Sequence, residues 1–206
     1  MRRYLPVLFV IFSGALWAQS GELWFDAGES ILSNRNLGSP FSTISGGRPD
    51  DVQLDNGFRF GFRFGFNTGG HVGHEIQYAY SRTHFIDNTG AIFGAVSSPG
   101  MAIHEGGYNF LYYATPEGSR IRPFATGGVH FANFVPPGSS ASYGGGSTKF
   151  GFNYGGGVKV KVGSKFGVRF DVREYQMGKP DFGGILQNRS GLLRQTEVSA
   201  GFGLLF

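Results

Sequence analysis

The stretch "NGFRFGFRFGFNTGG", residues 56–70, carries the strongest structural signal in the sequence. Phenylalanine recurs at every second position from Phe58 to Phe66, and arginine or glycine fills each position between them. Successive side chains of a β-strand point to opposite faces. The stretch therefore predicts a strand with one wholly aromatic face and one narrow face of arginine and glycine.

The composition suggests that much of the chain is built in the same way. Of 206 residues, 36 are glycine and 22 are phenylalanine, while only 16% are charged. Soluble domains contain about 7% glycine and about 25% charged residues. The mean hydropathy is nevertheless −0.12, so apolar residues are interleaved with polar ones. This pattern disfavours a helical membrane protein and favours sheets whose two faces meet different solvents.

Cysteine content and net charge exclude several functions. The chain has no cysteine, which rules out a disulfide scaffold, a thiolate metal site and a thiol nucleophile. The formal net charge is +4, and removal of Arg2 and Arg3 leaves 16 basic and 14 acidic residues. No dense cluster of lysine and arginine is present, so we expect no nucleic-acid partner.

Residues 1–20, "MRRYLPVLFVIFSGALWAQS", have the three-part form of a secretory signal peptide. Two arginines precede an apolar stretch that is shorter than the ~20 residues of a spanning helix, and small residues follow it. We expect cleavage after Ala18 or after Ser20, which leaves residues 21–206 as the mature domain. The alternative is an uncleaved anchor helix.

The rest of the chain alternates with period two in segments separated by turn residues, which is typical of β-strands. Eight strands are predicted, at about 22–31, 57–67, 71–85, 102–115, 121–134, 148–162, 165–176 and 194–206. Three connections are short, and the four long ones lie at roughly 32–56, 86–101, 135–147 and 177–193. Long and short connections alternate strictly. In an up-and-down sheet this order places all short turns at one end and all long loops at the other, as in outer-membrane barrels.

The second face of these strands distinguishes a membrane barrel from a soluble sheet. A soluble exterior would be richly charged, whereas this face is rich in glycine and carries few charges. Such a face suits the narrow interior of an eight-stranded barrel, where buried charges must pair. We predict a charge network in the lumen formed by Arg59, Arg63, Glu75, Glu105, Arg169, Asp171, Arg173 and Glu197.

Lipid imposes closure on such a sheet, because every backbone polar group within the bilayer must be paired inside the protein. The predicted fold class is all-β, an eight-stranded antiparallel up-and-down transmembrane β-barrel in which the first and last strands pair. The alternatives are a soluble β-sandwich or lipocalin-like barrel and a disordered phenylalanine-glycine tract. The face assignment of the fifth strand stays open, because Pro123, Phe124, Gly127 and Gly128 interrupt its alternation.

Three features together resemble the outer-membrane β-barrel families typified by the OmpA-like transmembrane domain. They are the signal segment, the eight-strand pattern with "RPFATGGV" in the fifth strand, and the "VSAGFGLLF" end. The resemblance covers residues 21–206 and implies the outer membrane of a diderm bacterium. It also implies that the barrel-assembly machinery reads Phe202, Leu204 and Phe206 as an assembly signal. No peptidoglycan-binding domain follows the eighth strand, so we expect no anchoring to the cell wall.

The sequence contains no clear motif for catalysis or metal binding. Lipid A 3-O-deacylases, which are barrels of this size, use a His-x-Ser pair, and none of the five histidines is followed by serine two positions on. A serine–histidine pair drawn from different strands is the alternative. His71 and His74 near a short turn, and Asp50, Asp51 and Asp55 in the first long loop, are candidate metal ligands. We interpret them as turn and loop residues, so no catalytic, cofactor or metal site is predicted.

The expected function is that of a small, non-enzymatic integral outer-membrane protein with a structural or surface-interaction role through four extracellular loops. An eight-stranded barrel leaves no open aqueous channel, and the lumen is expected to hold charged residues and glycine. The alternatives are a narrow conduit for small hydrophobic molecules or ions and a lipid A-modifying enzyme. Expected partners are outer-membrane lipids, lipopolysaccharide and, during insertion, the barrel-assembly machinery. The chain is expected to be monomeric.

Two neighbouring positions test this assignment of faces. Phe62 lies at the centre of the aromatic face, so a charge there is predicted to cost about 2–4 kcal/mol. Gly61 and Gly65 are interpreted as space for side chains that pair with the two arginines. A Gly61→Ser substitution is therefore predicted to be tolerated far better than a charge at Phe62.

Overall fold

The computed structural model describes residues 20–40, 47–90, 92, 98–136, 138, 146–182, 186–187 and 190–206. The predicted signal peptide lies outside these residues except for Ser20, so its cleavage stays a prediction. None of the described residues belongs to a helix that is long and apolar enough to cross a membrane.

Eleven β-strands make up the regular secondary structure of the described residues. In chain order they are β1 (Ser20–Ser33), β2 (Asn36–Pro40), β3 (Val52–Leu54), β4 (Gly57–Gly69), β5 (Val72–Asp87), β6 (Gly100–Tyr113), β7 (Ile121–Val135), β8 (Ser147–Lys161), β9 (Phe166–Gly178), β10 (Leu186–Gln187) and β11 (Leu192–Leu205). Eight are long, and each matches one predicted strand with both ends within two residues.

The eight long strands form a closed antiparallel ring in the order β1–β4–β5–β6–β7–β8–β9–β11. The ring closes between β1 and β11, whose register runs from Glu22 opposite Leu205 to Ser33 opposite Arg194. Closure leaves no unpaired edge among these strands. The predicted fold class and the predicted pairing of the first and last strands are confirmed.

The connections are segregated by length between the two ends of the barrel. The links β4–β5, β6–β7 and β8–β9 are short and lie at one end, here called the short-turn end. The first of them turns through Gly69 and Gly70, whose φ angles of 123° and 54° lie in a region that L side chains rarely adopt. The other four connections are long and lie at the opposite end, here called the loop end.

The aromatic face of β4 points outward, as predicted. Phe58, Phe60, Phe62 and Phe64 are 42–59% exposed, while the arginines between them are 1% exposed. The stretch from Phe58 to Phe66 spans about 21 Å along the barrel axis at a strand tilt of roughly 40°. That height covers most of the apolar band of about 25 Å of outer-membrane barrels.

The open question of the fifth predicted strand, β7, is settled by its pairing and burial. Pro123, Val129 and Phe131 point outward, whereas Phe124 and His130 are buried inside the barrel. The proline causes no conflict with the ladder: its carbonyl accepts from the Ala114 N–H at 2.9 Å. The alternation is hard to see in the sequence because glycines occupy two central positions of the strand.

Two of the long connections contain short strands that the sequence did not predict. β3 extends the sheet beside β5, β2 pairs with β3, and β10 pairs with β2. Expecting residues 32–56 and 177–193 to be loops throughout was therefore wrong. β2, β3 and β10, here called the lid strands, fold over the loop end because they carry buried apolar side chains, namely Leu37, Val52, Leu54 and Leu186.

A buried lysine also joins the two lid-bearing connections. Lys179 Nζ donates hydrogen bonds to the Asn36 carbonyl oxygen at 2.6 Å and to Asn34 Oδ1 at 3.3 Å. Burial lowers the pKa of this ammonium group below its ordinary value. The contact fixes the segment after β9 against the start of β2 and the residues just before it.

Candidate functional site

The barrel interior holds three stacked layers of side chains, and we treat it as the candidate site. The first layer, the central ion network, contains Asp26, Arg59, Arg63, Glu75, Glu105, Arg169, Asp171, Arg173 and Glu197. The second, the loop-end cluster, is apolar. The third, the short-turn layer, surrounds Trp24 and Lys159.

The structure brings all eight residues of the predicted lumen set together in the central ion network. Arg59 pairs with Glu105 at 2.6 Å and with Glu197 at 3.2 Å. Arg63 also pairs with Glu197, and it lies 3.1 Å from an Asp171 oxygen. Glu197 is thus shared by two guanidinium groups of the same strand.

The other half of the network is organised around Glu75 on β5. Its two carboxylate oxygens lie 2.5 Å from Arg169 Nη1 and 2.9 Å from Arg173 Nη2. Asp171 stands between these arginines on β9 and contacts Arg169 at 2.5 Å and Arg173 at 3.1 Å. Each of these two carboxylates therefore contacts at least two guanidinium groups.

Asp26 is the ninth member, which the sequence analysis missed. Its Oδ2 lies 3.1 Å from Arg63 Nε. The signal was present in the sequence, because Asp26 lies on the polar face of the first predicted strand beside outward-facing Phe25. A Cβ at Gly61 would lie 2.9 Å from Asp26 Oδ1 and 3.0 Å from the Tyr78 carbonyl oxygen. A side chain at Gly61 therefore requires Asp26 or the β5 backbone to shift. That Gly61→Ser is tolerated far better than a charge at Phe62 stays a prediction.

Neutral side chains complete the hydrogen bonding of the network. Tyr175 donates to Glu197 Oε2 at 2.7 Å, and Gln195 Nε2 donates to Glu105 Oε1 at 2.8 Å. The paired side chains of the network are at most 2% exposed. Charges that are removed from water require ion-pair and hydrogen-bond partners of this kind.

The loop-end cluster was not predicted, because the lumen was expected to hold charges and glycine only. It comprises Leu32, Leu37, Val52, Leu54, Phe85, Met101, Ile103, Ala132, Phe134, Tyr175, Met177, Leu186 and Leu193. These side chains come from the inner faces of six long strands near their loop ends and from the lid strands. The outer half of the interior is consequently a small hydrophobic core.

The short-turn layer is centred on an ion pair between Lys159 and Glu22. Lys159 Nζ also donates to the Tyr113 hydroxyl at 2.7 Å. Trp24 Nε1 donates to Glu22 Oε2 at 2.8 Å, and the Lys159 ammonium lies 5.4 Å from the Trp24 ring centre. Arg122 stacks on Tyr113 with its Cζ 3.6 Å from the ring centre.

Two inward glycines make room for the buried indole of Trp24. A Cβ at Gly167 would lie 2.8 Å from Trp24 Cη2, and a Cβ at Gly203 would overlap the same ring. The glycine-rich inner face thus alternates with the bulky side chains that fill the lumen, as expected for a narrow barrel.

The charges of the central ion network and the short-turn layer balance. The network contains four arginines and five carboxylates, and the short-turn layer adds Arg122, Lys159 and Glu22. The interior at these levels therefore carries six cations and six carboxylates. This balance permits burial of the whole set without a net interior charge.

The remaining candidate residues lie apart from the interior network. The imidazole Nδ1 of His71 lies 2.7 Å from the Tyr113 carbonyl oxygen, and Nδ1 of His74 lies 2.5 Å from the Tyr108 hydroxyl. In the first loop, Asp55 pairs with Arg35 at 3.1 Å. Asp50 lies 3.9 Å from Arg48, whose backbone N–H donates to Asp51. Across the described residues, no group of three or more potential metal ligands is found.

The residues of the predicted assembly signal lie on the outer face of β11 and at its end. Phe202 and Phe206 are exposed, and Leu204 is 39% exposed. Phe206 exchanges two backbone hydrogen bonds with Gly21, at 2.7 and 2.9 Å. The end of the chain is thus held in the barrel wall beside β1. Its recognition by an assembly machinery stays a prediction.

A closed ring of eight strands with an aromatic exterior and a charged, buried interior defines a transmembrane β-barrel. The chain belongs to the family of outer membrane protein beta-barrel domains, whose model matches residues 7–206. Membership implies a location in a bacterial outer membrane. The predicted relationship to the OmpA-like barrels is confirmed at this level.

Solved structures from several bacteria have the same fold. Neisserial surface protein A matches with a TM-score of 0.61 at 17% identity, over 92% of this chain and 99% of that one. A major outer membrane protein from Thermus thermophilus matches with 0.55 at 10% identity, over 92% and 100%. OprG from Pseudomonas aeruginosa matches with 0.50 at 13% identity, over 90% and 96%. No curated protein sequence matches the chain.

Proposed function

We propose that this protein is a non-enzymatic outer-membrane barrel with a closed lumen, and that it acts as a structural and surface element instead of a pore. The observation that carries the proposal is the burial of the central ion network. Side chains lining a water-filled channel would be accessible to water, whereas these are at most 2% exposed. The loop-end cluster and the lid strands add a second, apolar barrier.

A surface role places interaction at the four long loops, which face the cell exterior in barrels of this architecture. Arg82 on β5 and Arg194 on β11 are exposed on the outer wall near the loop end. Cations at this level suit the phosphate groups of lipopolysaccharide. We propose outer-membrane lipids and lipopolysaccharide as partners of a monomeric barrel, with the barrel-assembly machinery acting during insertion.

Conductance tests the closed lumen. Purified protein in a planar bilayer is expected to give no stable conductance steps. The variant Glu75→Ala/Arg173→Ala, which removes two facing side chains from the network, is expected to conduct small ions. Reproducible steps from the unaltered protein would refute a closed lumen.

A narrow conduit for small hydrophobic molecules is the second candidate, and the loop-end cluster favours it. An apolar interior beneath the lid strands would accept an apolar solute if those strands moved aside. Ser39 on β2 lies opposite Gln187 on β10 in register, and the chain has no cysteine. A disulfide in the variant Ser39→Cys/Gln187→Cys would hold the lid closed. If uptake of a small hydrophobic solute stops when this disulfide is formed and resumes when it is reduced, a conduit is favoured. Equal uptake of the solute by cells without the protein would exclude a conduit.

Lipid A modification is the third candidate. His104 Nδ1 lies 2.8 Å from the Tyr78 hydroxyl. The side chain of His74 is likewise hydrogen-bonded to a tyrosine hydroxyl, that of Tyr108. Such pairs lack the serine nucleophile that acyl transfer requires. Lipid A mass spectra from cells with and without the protein should be identical. A mass loss matching one acyl chain would refute the non-enzymatic proposal.

A further inference from the structure

A cavity of about 170 Å³ opens at the short-turn end of the barrel. Its walls come from β1, from the β6–β7 turn, and from the ends of β7 and β8 that face this side. In barrels of this architecture the short turns face the periplasm. The cavity is therefore positioned to receive a molecule from the periplasmic side.

Positive charge predominates in the lining. Four cations, Arg120, Arg122, Lys159 and Lys161, face two carboxylates, Glu22 and Glu117. The Glu22 carboxylate is ion-paired with Lys159 and lies 4.0 Å from Arg122 Nη1. Glu117 Oε1 accepts a hydrogen bond from the Ser20 hydroxyl at 2.5 Å. The lining consequently carries two more positive than negative groups.

Arg122 is held rigidly and keeps one unused donor. Its Nη1 donates to Asn67 Oδ1 at 3.3 Å, its Nη2 donates to the Gly70 carbonyl oxygen at 3.2 Å, and its guanidinium stacks on Tyr113. The side chain is 8% exposed. Its Nε is buried and has no hydrogen-bond partner. Arg122 therefore adds a fixed positive charge to the wall of the cavity.

We propose that this cavity is a binding site for a phosphate group. Two excess positive charges match a phosphate dianion, and a fixed guanidinium charge with neighbouring flexible cations suits its oxygens. Arg122 supplies that fixed charge from within the barrel. Arg120 and Lys161, which are exposed at the rim, close over the ligand from outside.

Two sources supply such a group at this face: small phosphate compounds of the periplasm and phospholipid headgroups of the inner leaflet. Inorganic phosphate and dihexanoyl phosphatidylglycerol, each titrated into protein in a maltoside detergent, separate these sources. Binding is followed by the phosphorus NMR signal of the ligand. The tighter of the two ligands identifies the source.

Three variants test the location. Arg122→Gln is expected to weaken phosphate binding about tenfold, because it removes the fixed positive charge. Arg120→Gln/Lys161→Gln changes exposed side chains only and should also weaken phosphate binding. It therefore tests the location of the site if Arg122→Gln fails to fold. Arg48→Gln removes an exposed cation of the first long loop, at the loop end, and should leave binding unchanged. Heat-dependent gel mobility verifies folding of each variant.

Two results would overturn the proposal. One is the absence of saturable binding of either ligand up to roughly 50 mM, an affinity too weak for a built site. The other is binding that Arg122→Gln and the double variant leave unchanged, which would place the ligand elsewhere.

Discussion

Replacing Glu75 by glutamine is the sharpest test of the central ion network. Glutamine has the same shape but no charge, so it leaves Arg169 and Arg173 buried with one fewer carboxylate. Their guanidinium nitrogens lie 2.5 and 2.9 Å from the Glu75 oxygens. We expect a large loss of stability without a change of fold, because the strand pairing is untouched.

The magnitude follows from these distances and from burial. At an effective dielectric constant of about 20, two unit charges about 2.9 Å apart attract each other by about 6 kcal/mol. Part of this attraction offsets the cost of removing the carboxylate from water, which the variant no longer incurs. Asp171 still contacts both arginines. The net loss for breaking a buried pair is about 3–5 kcal/mol.

Urea unfolding of the mature barrel in lipid vesicles measures this loss. Trp24 is the single tryptophan of residues 20–206, and it lies inside the lumen, so its fluorescence reports directly on the interior. Glu29→Gln is the matched control. Glu29 is exposed on the outer wall of the same barrel, and its loss should change the free energy of unfolding by less than about 0.5 kcal/mol.

A double variant separates charge from shape. Arg173→Met added to Glu75→Gln removes one charge of each sign, so the combined loss should fall short of the sum of the single losses by about 1–3 kcal/mol. A cost for Glu75→Gln below that of Glu29→Gln, or strictly additive losses in the double variant, would refute the reasoning. Either result would mean that the charges of the lumen are screened by water.

Three further predictions follow from the faces of β4 and the end of β11. Phe62→Lys should lower the free energy of unfolding by about 2–4 kcal/mol, whereas Phe150→Lys, near the loop end of β8, should lower it by about 0–1 kcal/mol. Equal costs would contradict the placement of Phe62 near the middle of the membrane and of Phe150 near its surface. Gly61→Ala should destabilise by about 1–3 kcal/mol through overpacking, but Gly65→Ala, whose Cβ would have no neighbour closer than 3.5 Å, should be nearly neutral in the same urea assay. Phe206→Ser should lower the amount of folded barrel in cells, measured by heat-dependent gel mobility, while leaving the stability of refolded protein unchanged; an equal fall in both would argue for a purely structural role.

Much of the barrel was predictable because its signals are local. The alternation around Phe62 assigns an outer and an inner face to one strand without reference to any other. The alternation of long and short connections then orders the strands, and lipid demands closure. The interior charges were predictable as a set for the same reason, since Arg59 and Glu197 each lie on a polar face.

The contacts inside the barrel were not predictable in the same way. Arg63 pairs with Asp171 and Glu197, which lie more than 100 positions away, and such pairs depend on register around the ring. The lid strands were missed because Val52 and Leu54 form too short an alternation to stand out within a long loop. Their burial depends on apolar side chains at the loop ends of the long strands, such as Phe85 on β5.

The sequence by itself determined the eight long strands, the outward faces of all but the fifth of them and eight of the charges in the lumen, because each depends on period-two alternation or on composition. The tertiary structure alone decided how those charges pair, where the interior turns apolar and which glycine has room for a side chain. Gly61 illustrates the difference. Its place on the inner face follows from its neighbours in the chain, but the space beside it is occupied by Asp26, a residue brought there only by the pairing of β1 with β4.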